Sequence, residues 1–114
     1  MDEIIADIAA RTGLDASVVQ KSVGIIIGFL SREAPAETVR PLLDKLPGAE
    51  AMADANSGIG GGLFGVFNAL TGAGLGMSEV QTVAREFVKA AKARVGDQEV
   101  DSLLAKIPGI SQFV

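Results

Sequence analysis

The densest group of carboxylates in the chain is Asp97, Glu99 and Asp101. Such a group could hold a metal ion or exchange protons as a general acid and base. The same residues at the start of a helix have a simpler use, because carboxylates offset the positive end of the helix dipole. Asp2, Glu3 and Asp7 read the same way. Ser17 lies four residues before Lys21, the spacing of a Ser-Lys pair, and Ser78 is a second candidate nucleophile. Neither serine lies in a strand-turn-helix elbow, and the chain has no His to activate one. A helix-capping role accounts for both serines. Gly58-Ile59-Gly60-Gly61-Gly62 has the glycine content of a phosphate loop. It lacks the following Lys-Ser or Lys-Thr and the preceding strand, so it reads as a hinge.

The composition narrows the chemistry further. The chain has 114 residues, 48% apolar and 21% charged, with no His and no Cys. Without His the commonest general base and metal ligand are absent, and without Cys there is neither a disulfide nor a thiolate. Ten basic residues face fourteen acidic ones, a net charge of -4, with no basic run for phosphates. We therefore expect no catalytic residue, no cofactor, no metal site and no nucleic-acid partner. The charge is uneven: residues 1 to 57 carry five basic and nine acidic groups, and residues 58 to 114 carry five of each.

These residues are positioned by a repeat. Shifted by 61 residues, the chain aligns with itself without a gap, and 11 of the 36 positions from Gly13 to Gly48 are identical. Gly13-Leu14 falls on Gly74-Leu75, and Ser17, Val19 and Gln20 fall on Ser78, Val80 and Gln81. Leu42-Leu43-Asp44-Lys45-Leu46-Pro47-Gly48 falls on Leu103-Leu104-Ala105-Lys106-Ile107-Pro108-Gly109. Apolar spacing predicts three helices per unit. The first spans Glu3 to Thr12, and Gly62 to Thr71 in the second copy, with Gly13 and Gly72 as left-handed stops. The second opens on a capping box, Ser17 with Gln20 and Ser78 with Gln81, with Asp15 as a rival cap. The third covers Glu37 to Leu46 and Asp97 to Ile107, each ended by Pro-Gly. Pro41 inside it predicts a late start or a kink.

The expected product is one all-α domain over residues 1-114, with about six helices in a pseudo-two-fold duplication. Unit one covers about 3-50, a Gly-rich connector about 55-62, and unit two about 63-114. The second helix of unit two is amphipathic, with Arg85 and Lys89 on its polar face. The matching positions in unit one are Gly24 and Gly28, on a helix apolar nearly all round. Small residues four apart admit another backbone closely. Three occupants fit that face: the connector, another helix of the chain, or a second subunit. Residues 55 to 78 carry no charge, and Phe64 and Phe67 follow the glycine run. Gly24, Gly28, Phe64 and Phe67 are thus the candidate interface residues. The expected function is a non-enzymatic interaction or self-association module, as a homodimer or with a protein partner. The alternative is a carrier of a small apolar ligand or lipid. No Lys or Arg lies between Lys45 and Arg85, which speaks against an interfacial membrane helix.

The order of Gly-Leu, capping box and long helix, Leu-Pro-Gly, Gly-rich stretch and second copy resembles a bacterial family. That family is named after the VcgC and VcgE integron-cassette proteins. The segments that carry the resemblance are Gly13-Leu14, Leu42 to Gly48, Ser57 to Gly76, and Leu103 to Gly109. They extend over nearly the whole chain, and the resemblance implies no activity, cofactor or catalytic residue. Similar proteins often carry an export leader. Met1-Asp2-Glu3 opens no such leader, so the expected location is the cytoplasm, with a trimmed leader as the other route.

Overall fold

A computed structural model describes residues 2-56 and 62-107, the side chain of Leu63 apart. The described residues form seven α-helices and no strand: α1 (Asp2–Thr12), α2 (Ala16–Glu33), α3 (Ala36–Lys45), α4 (Ala49–Ala55), α5 (Gly62–Gly72), α6 (Met77–Val95) and α7 (Asp97–Ala105). The all-α expectation holds. The count differs from six because α4 forms between the Leu-Pro-Gly terminator and the glycine run. Its sequence, AEAMADA, has too few large apolar residues to show a helical period.

α2 lies at the centre and packs against α1, α3, α4, α5 and α6. Its apolar girth explains this position. Val19, Val23, Ile25, Ile27, Phe29 and Leu30 are all buried, pointing to more than one side of the helix. α6 buries one stripe, Val80, Val83, Ala84, Phe87, Ala91 and Val95, and packs against α1, α2, α3, α5 and α7. α3 and α7 pack on each other, with Val39, Leu42, Val100 and Leu103 in the shared core. Ser22 is wholly buried on α2, and its hydroxyl donates to the Val18 carbonyl at 2.7 Å, which satisfies it within the helix.

Several helix ends differ from the sequence reading. Neither serine capping box forms. α2 begins at Ala16 with Asp15 in the cap position, and Asp15 makes no side-chain cap bond. α6 begins at Met77 after Gly76, whose N–H donates to Glu79 Oε1 at 2.8 Å. Ser17 and Ser78 thus lie one residue inside the first turn, and in α6 it is Glu79, not Gln81, that reaches back to the cap N–H.

The stop glycine of α5 is Gly74 rather than Gly72. Gly74 has φ +105°, its N–H donates to Thr71, and the Leu75 N–H donates to Leu70. This is a Schellman closure, with Leu70 and Leu75 both buried beneath it. Gly13, at φ +77°, ends α1 with one bond to Ala9 as expected. Pro41 does not delay α3, which starts one residue earlier than expected and runs through it. Proline there removes only the bond to the Glu37 carbonyl, and Glu37 is exposed, so water can take its place. α7 ends at Ala105, two residues short of expectation, and Pro108-Gly109 lies outside the described residues.

Polar contacts tie α6 to its neighbours. Arg11 pairs with Glu86 at 3.2 Å, Arg94 with Glu3 at 3.5 Å, and Lys92 with Asp101 at 3.2 Å. Lys45 donates to the Val95 carbonyl at 3.4 Å, joining the ends of α3 and α6. These surface pairs add little each, roughly 0 to 1 kcal/mol.

Candidate functional site

The glycine face of α2 is occupied by the chain itself. Gly24 and Gly28 are buried, and α4 lies on them through Met52 and Asn56. A Cβ on Gly28 would fall 2.8 Å from Asn56 Cβ and 3.0 Å from the Asn56 carbonyl oxygen. A Cβ on Gly24 would fall 2.7 Å from Asn56 Nδ2 and 3.6 Å from Met52 Cε. At Gly28 the close atoms are Asn56 Cβ and backbone, so glycine is required there for α4 to seat, whereas at Gly24 only the end of the Asn56 side chain is in the way. Asn56 closes α4 at this point, donating from Nδ2 to the Met52 carbonyl at 2.8 Å. Of the three occupants that suited the face, the structure shows another helix of the same chain. Spacing revealed that something packs there. It carried no mark of what, because α4 offers only Ala49 and Ala53 as buried apolar residues.

The two phenylalanines diverge. Phe64 is 84% exposed on α5, and Phe67 is half-buried against the core that contains Val66 and Leu70. Met77, the first residue of α6, is 69% exposed. The four candidate residues therefore do not form one exposed surface: Gly24 and Gly28 are covered, and Phe64 is open. The glycine run from Gly58 to Gly61 lies outside the described residues.

The candidates for catalysis are dispersed. Among the described residues no group of three or more His, Cys, Asp or Glu is placed to hold a metal ion. Asp97 and Glu99 lie in the first turn of α7, and Asp101 reaches Lys92. Ser17 and Ser78 are exposed on first turns. Among the described residues no single helix is long and apolar enough to cross a membrane.

Sequence reasoning missed a cleft where the end of α2 meets α3 and the start of α4. It has a volume of about 370 Å³, and its lining includes Ser31, Val39, Arg40, Leu43, Asp44 and Glu50. No motif announces it, since the residues come from three helices and are of common types. Searches against known protein families, curated proteins and solved structures find no match to this chain.

Proposed function

We propose that this chain is a non-enzymatic helical module that self-associates through α5. The observation that carries this reading is Phe64, a large aromatic side chain 84% exposed on a helix without a charged residue. Fully burying such a side chain against a second copy is worth roughly 1.5 to 3 kcal/mol. No charge lies between Ala55 and Ser78 to oppose two copies of α5 meeting. The Gly24 and Gly28 face, already covered by α4, is no part of this contact.

The architecture behind the module is a duplicated three-helix unit with α4 added between the copies. The starts of α2 and α6 lie 61 residues apart, as do those of α3 and α7 and the stop glycines Gly13 and Gly74. The resemblance to the VcgC and VcgE family rests on the sequence segments alone, and no activity transfers from it. The proposed setting is the cytoplasm, without nucleic acid, lipid or cofactor. A carrier of an apolar ligand draws no specific support. Each of four clefts bounded by described residues has charged side chains in its lining.

Light scattering on a sizing column, over a concentration series, tests the reading. The wild-type chain is expected to pass from monomer to dimer, and Phe64→Ser to remain monomeric with its helicity unchanged. A wild-type monomer at every concentration, or a dimer that Phe64→Ser leaves intact, would refute it.

A further inference from the structure

We propose that the cleft between α2, α3 and α4 binds a small zwitterion, an amino-acid-sized molecule with an ammonium, a carboxylate and a branched apolar body. At about 370 Å³ the cleft is within the usual range of small-ligand sites. Its wall is apolar where Val39 is buried and Leu43 half-buried. Its rim carries both signs of charge: Arg40 and Asp44 one turn apart on α3, and Glu50 in the first turn of α4. Among the described residues none of these three joins an ion pair, whereas Arg11, Lys92 and Arg94 all do. Arg40 and Asp44 also line an adjoining cleft of about 550 Å³ with Glu37 and Pro41, so they face open space on both sides.

A second observation is independent of charge. Ser31 lines the same cleft, and its hydroxyl is shielded from water with no hydrogen-bond partner. Ser22, on the same helix, bonds to the carbonyl four residues back. Ser31 does not, which leaves a buried polar group unsatisfied. A polar group seated against Ser31 in the cleft would give that hydroxyl the partner it lacks.

The chemistry then divides by residue. Arg40 is a two-pronged donor for a carboxylate. Asp44 and Glu50 are acceptors for an ammonium, and Val39 and Leu43 cover the apolar body. A ligand with only one of the two charges leaves one side of the rim unanswered.

Amide NMR shifts on titrating the full chain with leucine test this directly, with isovalerate and isoamylamine as the two half-ligands. Leucine is expected to move the amides of Ser31, Arg40, Leu43 and Asp44 saturably, with each half-ligand at least roughly ten-fold weaker. Arg40→Gln should weaken leucine about ten-fold yet leave isoamylamine unchanged, and Asp44→Asn with Glu50→Gln should do the reverse with isovalerate. These side chains are exposed, so the fold is expected to survive, which circular dichroism checks. Ser31→Ala should weaken leucine without lowering thermal stability. No saturable shift up to the solubility of leucine, or shifts that all three variants leave unchanged, would overturn the proposal. Equal affinity for leucine and either half-ligand would also overturn it. None of these readings depends on the oligomeric state.

Discussion

α2 and α6 start 61 residues apart and share Val19/Val80 and Gln20/Gln81, yet they meet different surroundings. α6 has a buried stripe and a wet face, where Arg85 and Lys89 are exposed. On α2 the corresponding residues are Gly24 and Gly28, and the face they form is covered by α4. α4 packs mainly on α2 and α3, and it sits where the first half of the chain departs from the second at Gly24 and Gly28. The change from charge to glycine and the presence of α4 are two sides of one packing event. A wet face became a buried one, and glycine was needed because the arriving group is backbone as well as side chain.

The core positions give the largest test of this comparison. Phe87 on α6 is 2% exposed, and its counterpart Ile26 on α2 is only partly buried. Phe87→Ala removes a fully packed ring and should destabilise the chain by about 3 to 5 kcal/mol, read from urea midpoints. Ile26→Ala should cost less, roughly 1 to 2 kcal/mol, because part of that side chain is already in water. Equal losses would mean that α2 is not rotated relative to α6 as its burial pattern requires.

The glycine face supplies the middle test. Alanine for glycine inside a helix ordinarily stabilises by about 0.5 to 1 kcal/mol. At Gly28 the new methyl meets the Asn56 backbone carbonyl, which can move only if α4 moves. Gly28→Ala should therefore destabilise by about 1 to 3 kcal/mol, with faster hydrogen exchange throughout α4. At Gly24 the nearest group is the amide end of the Asn56 side chain, which can swing away. Gly24→Ala should be close to neutral, within about 0.5 kcal/mol. A Gly28→Ala protein as stable as wild type would show that α4 is not held on that face.

Much of this was readable in the sequence, for stated reasons. Periodicity placed α1, α2, α5 and α6 because each carries several large apolar residues on a regular spacing. It showed that Gly24 and Gly28 were covered, since a helix apolar all round has no wet side. It did not show by what, because two alanines, a half-buried methionine and an asparagine leave no periodic trace. The stop of α5 at Gly74 rather than Gly72 is legible in the register of the repeat. The 61-residue register already paired Gly13 with Gly74, and that register is a longer-range constraint than the local end of an apolar run. The α2–α3–α4 cleft stayed hidden because it depends on where three helices meet.

Helix starts are the remaining point of difference, and the smallest in energy. Sequence pattern favoured Ser17 and Ser78 as caps because both are followed by Gln at the right spacing, yet each cap lies two residues earlier, at Asp15 and Gly76. At α6 the first N–H groups gain a carboxylate, since Glu79 Oε1 accepts from the Gly76 N–H at 2.8 Å. At α2 the cap position is filled by Asp15, which makes no side-chain bond, so only its charge acts on the helix end. Glu79→Ala should thus cost about 0.5 to 1 kcal/mol, the usual scale of a lost capping contact. Asp15→Ala should cost less than about 0.5 kcal/mol, and that loss should shrink with added salt because it is a screened charge–dipole effect. If the two losses were equal at high salt, Asp15 would have to make a cap bond in solution, and the first turns of α2 and α6 would be equivalent after all.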